Sequence, residues 1–275
     1  MASYLETAME IAREAGALHL QYLERRVGFS LKGDFDLVTE CDKASEQLIV
    51  DRLSSHFPSH SIEAEEGFGT EKAKSEYRWY VDPLDGTTNF AHSYPVFNVT
   101  LALEKAGEVI AGVVYDATRN EMFAAELGGG AYLNNRRIHV SAVKRVEDCL
   151  VSTGFPSRRR HLNINIHFYY QLAMLSHGVR RSGAAAIDLA YVSCGRLDGF
   201  WEFGLNPWDM AAGSLLVREA GGKTSGMKGE PFSVRGATLF ANNGHLHTEM
   251  LQVFDEIFNN RPRFPLPPVN LQQES

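Results

Sequence analysis

Four apolar runs crowd into the stretch from Arg78 to Ala125: Arg78-Trp79-Tyr80-Val81, residues 96–103, residues 109–116 and residues 121–125. Each has the length and the β-branched or aromatic content of a strand. Parallel neighbours need a long crossover, usually a helix, whereas antiparallel ones are joined by turns. The crowding therefore predicts an antiparallel, meandering sheet rather than alternating βαβ units. Ser61-Ile62-Glu63-Ala64 reads as a strand that precedes the group. Gly128-Gly129-Gly130, followed by residues 131–138, reads as a tight hairpin that extends it.

Helical signals surround this sheet. Over residues 3–24, Ala8, Ile11, Ala12, Ala15, Leu18 and Tyr22 recur at helical spacing with charged residues between them. A loop, Lys32-Gly33-Asp34-Phe35-Asp36, leads through Leu37-Val38-Thr39 to a second helix over 43–56, which Pro58 ends. From about Ser141 the pattern changes. Helices are expected over 161–176, 185–194 and 208–220, and strands at Val179-Arg180-Arg181 and Phe200-Trp201-Glu202-Phe203. Gly195 stops the second of these helices, while Pro207 opens and Gly221-Gly222 closes the third. The expectation is an N-terminal α+β lobe over 1–140 and a C-terminal α/β lobe over 141–262, joined in one compact fold. A tail rich in Pro, Asn and Gln, 263–275, is expected to be loosely ordered.

With 275 residues, 44 % of them apolar and 22 % charged, the chain can bury a sizeable core. The net charge of −7 runs against a polyanion-binding surface, so no nucleic-acid partner is expected. Cys41, Cys149 and Cys194 have neither zinc spacing nor the even count of a disulfide framework, which suits a reducing cytoplasm. The first residues lack a signal-peptide pattern, and no apolar run nears the roughly 20 residues that span a bilayer. A soluble, cytoplasmic chain without membrane contact is the expectation. An acidic protein acting on an anionic substrate needs local positive charge, which a bound cation can supply.

The most informative stretch is Trp79-Tyr80-Val81-Asp82-Pro83-Leu84-Asp85-Gly86-Thr87-Thr88-Asn89-Phe90. An apolar strand delivers two aspartates, three residues apart, onto a turn shaped by Pro83 and Gly86. Such a turn can aim both carboxylates and the Leu84 carbonyl at one point. Grouped hard oxygen donors suit Mg²⁺. Gly86-Thr87-Thr88 adds backbone N–H groups and hydroxyls where a helix begins, a cradle for an anion. The bland alternative is a surface turn, since Asp, Pro and Gly dominate turns anyway.

Asp82 to Phe90 resembles the first signature of the inositol monophosphatase family. Trp208-Asp209-Met210-Ala211-Ala212-Gly213, with Glu219-Ala220-Gly221-Gly222 closing the helix, resembles the second. The similarity also takes in residues 32–42, 58–66 and 181–202, and so covers nearly everything from residue 3 to about 258. It implies a layered α-β-α-β-α sandwich with a mostly antiparallel N-terminal sheet, a mixed C-terminal sheet and the active site between the lobes. It further implies a homodimer and a Mg²⁺-dependent, lithium-sensitive phosphoric monoester hydrolase. Position by position, Glu65, Asp82 and the Leu84 carbonyl match the ligands of one ion, and Asp82, Asp85 and Asp209 those of a second. A third, weaker ion near Glu65 is a further family feature. Thr87 and Asp42 match the pair that orients and deprotonates the attacking water, and Glu65 and Asp85 stand beside them as catalytic carboxylates. Gly86 and Thr87 match the phosphate-binding backbone, and Ala185, Glu202 and Asp209 match contacts to the alcohol part of the substrate. Lys32 matches a loop position near the metals.

Structural readings compete at several of these positions. Asp42 directly precedes the helix expected from Lys43 and would serve as its N-cap. Asp209 would cap its own helix or face its dipole. Glu202 would be a strand-edge charge facing water, and Glu63 and Glu66 would be solvated. Arg158-Arg159-Arg160-His161 reads as a solvated loop, and the histidines show no metal spacing. The first functional expectation is hydrolysis of myo-inositol monophosphate. Its rivals are fructose-1,6-bisphosphatase, histidinol-phosphatase, 3′-phosphoadenosine-5′-phosphate phosphatase and dual inositol/fructose activities. A non-enzymatic alternative is a regulatory binding partner of the RNA-synthesis machinery.

Overall fold

A computed structural model describes residues 3–25, 28–33, 36–155 and 163–267, with backbone alone at 32, 33 and 36. Helix α1 (Tyr4–Arg25) is followed by β1 (Phe29–Gly33) and β2 (Asp36–Thr39), which pair antiparallel. The two ends of the segment expected to be a loop therefore belong to a two-stranded ribbon. Helix α2 (Glu40–His56) starts three residues before the expected Lys43. Its N-cap is Thr39, whose hydroxyl accepts from the Cys41 N–H (3.2 Å), while the Asp42 carboxylate accepts from the Thr39 N–H (2.8 Å). Asp42 is thus the N3 member of a reciprocal capping pair and not the N-cap, because the chain is already extended at Thr39.

The first sheet has seven strands: β3 (Ser61–Ala64), β4 (Tyr77–Asp85), then, after the short helix α3 (Thr87–Ala91), β5 (Asn98–Lys105), β6 (Glu108–Asp116), β7 (Glu121–Glu126), β8 (Gly130–Leu133) and β9 (Arg136–Arg137). They lie in sequence order. Strand β3 runs parallel to β4 and every later pair is antiparallel, the meander read from the sequence. Glu63 on β3 is not simply solvated, for it pairs with Arg78 and with Arg235.

The second sheet is mixed. Its strands are β10 (Leu150–Thr153), β11 (Gly178–Arg180) after helix α4 (Asn165–Leu175), β12 (Gly199–Phe203) after α5 (Ala185–Ser193), and β13 (Lys223–Ser225) and β14 (Thr238–Asn242) after α6 (Pro207–Glu219). The order is β11-β10-β12-β14-β13, and α7 (His247–Phe258) follows. Strand β10 is parallel to β11 and β12, and β14 is antiparallel to β12 and β13.

Alternation along the strands builds five layers. Val81, Leu101 and Val113 face α1 and α2 through Ile11, Ile49 and Leu53. The opposite face, with Tyr80, Ala102, Val114 and Ala125, packs on α5 and α6 through Ala186, Ala212 and Leu215. The other side of those helices meets the second sheet, Leu189 and Met210 against Phe200 and Leu239. Beyond it α4 and α7 close the molecule, Phe168 and Phe254 against Trp201 and Phe240. The α-β-α-β-α architecture expected from the resemblance is therefore the one observed. Helix α6 comes very close to β6, since a Cβ at Gly112 would lie 2.9 Å from the Ala212 Cα. Of the tail, Phe264 exchanges two hydrogen bonds with Gln171 on α4 (2.6 and 2.9 Å), and residues 268–275 lie outside the described residues.

Candidate functional site

A polar cleft of about 280 Å³ opens where the end of β4 meets the first turns of α5 and α6. The sequence explains the local geometry. Strand β4 leaves register with β5 between Asp82, opposite Thr100, and Asp85, opposite Asn98, so that three steps on one strand match two on the other. Pro83, which has no N–H for the ladder, sits in this bulge. Gly86 follows at φ +91°, and a Cβ there would lie 2.8 Å from the Val96 carbonyl oxygen. Only glycine lets the chain turn this sharply into α3.

Of the residues singled out from sequence, Glu65, Asp85, Gly86, Thr87, Ala185, Glu202 and Asp209 line the cleft. Asp82, Leu84 and Asp42 lie buried behind them. Lys32 belongs to β1, and its side chain is outside the described residues, as are Arg158, Arg159, Arg160 and His161. Glu202 is no edge charge, for β12 is the central strand of its sheet and the side chain is 7 % exposed. Room for it comes from Gly154 at the end of β10, where a Cβ would lie 2.0 Å from Glu202 Oε2.

The aspartates of the site are held by named donors. The Leu84 N–H donates to Asp82 Oδ1 (3.0 Å). Asp85 Oδ2 accepts from Asn98 Nδ2 and from the Ala186 N–H, both at 2.9 Å, and so ties the first sheet to the start of α5. Asp209, at N3 of α6, accepts from the Asn206 N–H (2.7 Å), so its capping role is real as well. The Thr87 hydroxyl lies 2.8 Å from Asp42 Oδ1 and 3.1 Å from the Leu84 carbonyl oxygen. The turn that carries Glu65 is fixed by Glu46 on α2, whose carboxylate accepts from the Glu66 and Phe68 N–H groups (2.6 and 2.7 Å). Glu46, Asn98, Gly154 and the cleft-lining Arg181 carry no sequence signal, since each is a single residue brought in by packing.

Burial pushes the Asp82 carboxyl well above the usual carboxylate range, and Glu65, Asp85 and Asp209 add like charge. Burial does the same to Asp209, with Asp85 next in effect. Asp85 is raised by burial to about 6 against the pull of its Asn98 and Ala186 donors. Burial raises Glu202 well above its usual range, helped by Asp209, Asp188 and Asp85 and opposed by Arg181. Asp188, which accepts from the Ser182 hydroxyl (2.6 Å), is raised by burial to about 8. Among the described residues no three acidic, histidine or cysteine side chains converge on one coordination point. The donor chemistry nonetheless fits a hard divalent cation. Asp82, Asp85 and Asp209 are anionic oxygen donors that destabilise one another's charge, and a cation among them removes that repulsion.

Comparison with known proteins agrees with this chemistry. The model of the inositol monophosphatase family matches residues 1–258. The Nus factor SuhB of Pseudomonas aeruginosa is 44 % identical over 273 residues, 96 % of this chain and 98 % of that protein. An inositol-1-monophosphatase of Mesorhizobium japonicum is 43 % identical over 225 residues, 81 % of this chain and 84 % of that one. The solved structure of inositol monophosphatase from Anabaena superposes with a TM-score of 0.83 at 39 % identity, covering 97 % of both chains. Fold, acidic cleft and relatives agree that this chain belongs to the inositol monophosphatase family and is a phosphoric monoester hydrolase.

Proposed function

We propose that the cleft hydrolyses the phosphate monoester of a small polyol, myo-inositol monophosphate before others, with Mg²⁺ as cofactor. The observation that carries this reading is the lining of one cleft by Asp85, Asp209, Gly86 and Thr87 together with Glu202, a buried carboxylate available to the alcohol part of a substrate. A carboxylate accepts hydrogen bonds from neighbouring hydroxyls, and a polyol offers them in a row.

Glu65, Asp82 and the Leu84 carbonyl would hold one Mg²⁺, and Asp82, Asp85 and Asp209 a second, with a weaker third near Glu65. Bound Mg²⁺ neutralises phosphate charge, acidifies water and stabilises a departing alkoxide. The protein's own groups do the rest. Gly86 and Thr87 present backbone N–H groups to the phosphate oxygens. Thr87 has one hydroxyl proton, and the Asp42 oxygen at 2.8 Å is a closer acceptor for it than the Leu84 carbonyl at 3.1 Å. That leaves the Thr87 oxygen lone pairs free to accept from the attacking water. As the water oxygen bonds to phosphorus, its proton moves to Thr87 and the Thr87 proton to Asp42. The ester P–O bond breaks on the far side, and the alkoxide leaves as the alcohol after taking a proton from solvent. Ala185 and Glu202 orient the polyol.

The test is Mg²⁺-dependent phosphate release from inositol 1-phosphate, fructose 1,6-bisphosphate, histidinol phosphate and 3′-phosphoadenosine 5′-phosphate, with the wild type and Asp85→Asn. Preference for inositol phosphate, lost in the variant and inhibited by millimolar Li⁺, is the expected result. Preference for another substrate changes the name of the reaction and keeps the site. No metal-dependent release from any of them ends the proposal. A homodimer of cytoplasmic location completes the reading, and among the described residues no helix is long and apolar enough to cross a membrane. A second, regulatory role is suggested by the Pseudomonas aeruginosa relative named Nus factor SuhB. A cellular phenotype that survives Asp85→Asn would belong to that role.

A further inference from the structure

His19 lies on α1, outside the cleft, and is fully buried. Its Nε2 is 2.8 Å from the Pro83 carbonyl oxygen and 3.2 Å from Ser45 Oγ. The Ser45 hydroxyl donates to the same carbonyl at 3.1 Å. A carbonyl can only accept, so Nε2 carries the proton. The ring's other nitrogen, Nδ1, has no partner among the described residues. The ring stands edge-on to Phe90 and Phe97, with centroids 6.3 and 6.1 Å away. Leaving a buried nitrogen unpaired costs free energy, and an aliphatic side chain of similar bulk would avoid that cost. The bond from His19 to the Pro83 carbonyl therefore needs a physical reason.

The Pro83 carbonyl and the Leu84 N–H are the two ends of one rigid peptide plane. That plane lies in the β4 bulge, where the ladder to β5 is interrupted. At its oxygen end it is held by His19 and Ser45, from α1 and α2. At its nitrogen end it donates to Asp82 Oδ1 at 3.0 Å. Donation to the carbonyl polarises the amide and makes its N–H a better donor, so the two bonds reinforce each other. Burial, opposed by the Pro83 bond, holds the imidazole pKa down at about 4 and keeps the ring a neutral donor at ordinary pH.

We infer that His19 is a positioning residue that sets the Pro83–Leu84 peptide plane and, through its N–H, the orientation of the Asp82 carboxylate. The inference rests on the reading of Asp82 as a Mg²⁺ ligand. Neither His19 nor Ser45 belongs to a signature, and the link runs from the outer helical layer into the site through one peptide group. Ser45 is the second donor of the same device.

The experiment compares wild type, His19→Leu, His19→Gln, Ser45→Ala and Asp82→Asn. Mg²⁺ affinity is measured by titration calorimetry, and the Leu84 amide proton shift by NMR in Mg²⁺-free protein. His19→Leu keeps the bulk and loses the donor. It is expected to weaken Mg²⁺ binding about tenfold, the scale of one hydrogen bond, and to move the Leu84 resonance upfield. His19→Gln, whose amide nitrogen can reach the same oxygen, is expected to restore both. Ser45→Ala should shift both in the same direction by less, and it decides the matter if His19→Leu does not fold. A Leu84 resonance and Mg²⁺ affinity unchanged in His19→Leu, or a Gln variant no better than Leu, overturns the inference while Asp82→Asn upholds the metal reading. A wild type that binds no Mg²⁺ removes the metal reading and this inference together.

Discussion

Gly112 offers a test of how far the chemistry depends on packing well away from the cleft. Its substitution by alanine places a Cβ 2.9 Å from the Ala212 Cα, 3.1 Å from the Ala212 carbonyl oxygen and 3.3 Å from the Ala212 Cβ. Two of these three atoms are helix backbone, so no rotamer change relieves the clash. Carbon–carbon contact is comfortable from about 3.5 Å, so α6 must retreat from β6 by about 0.6 Å. Overpacking of this kind costs about 1–3 kcal/mol, which lowers Tm by roughly 2–5 °C in a chain of this size. Asp209 sits one turn earlier on the same helix and moves with it. Since a displacement near 1 Å can cost about a hundredfold in rate, a loss on the order of tenfold in kcat/KM is expected. Thermal unfolding with Mg²⁺ present and steady-state phosphate release on one preparation measure both. A Tm within about 1 °C of wild type with unchanged turnover refutes the clash argument. A lowered Tm with unchanged turnover refutes the claim that α6 carries Asp209 rigidly.

Two further outcomes follow from neighbouring features. Gly154→Ala should push the Glu202 carboxylate aside and raise KM for inositol 1-phosphate about tenfold while changing kcat less than about threefold; equal losses in both would place Glu202 in the chemical step instead. The Asp188 carboxyl, at 3.8 when unfolded and raised by burial to about 8 in the fold, keeps its proton in the folded protein across that window. Stability from this group is complete below about pH 4 and is lost as pH rises toward 8. Asp188→Asn should therefore flatten the decline of the urea midpoint between pH 5 and 8 in chelator-treated protein, and parallel slopes for variant and wild type would refute the assignment.

The first sheet was legible because its strands are local, with alternating side chains and turns that fit no other arrangement. Strands β10, β13 and β14 were not. Thr238-Leu239-Phe240-Ala241-Asn242 is short, and its pairing with β12 joins residues about forty positions apart. Helix α7 does show helical spacing, at Met250, Val253, Phe254 and Ile257, and could have been read. The β1–β2 ribbon was missed because its strands have only five and four residues, with Gly and Asp at the turn. Asp82, Asp85 and Asp209 stood out because they sit inside long signatures, and Asp42, Glu65 and Glu202 through the wider resemblance around them. Their supports did not, because Glu46, Asn98, Gly154 and His19 come from separate elements and gain meaning only in three dimensions. Spacing alone placed the start of α2 too late, since Thr39 looks like the end of a strand and is also a cap.

The burial of one face of the first sheet by α6 has a consequence for the order of events at the ribosome. The meander is complete when β9 ends at Arg137, yet the helix that covers Tyr80, Ala102, Val114 and Ala125 ends only at Glu219. Synthesis at about 5–20 residues per second leaves roughly 4–16 s between the two. Until α5 and then α6 have emerged, the growing chain carries an apolar sheet face that is not fully covered. Protection of nascent chains by a chaperone should therefore matter most for lengths between these two points, and slow translation of the α5–α6 region should reduce the yield of folded protein more than slow translation anywhere before it.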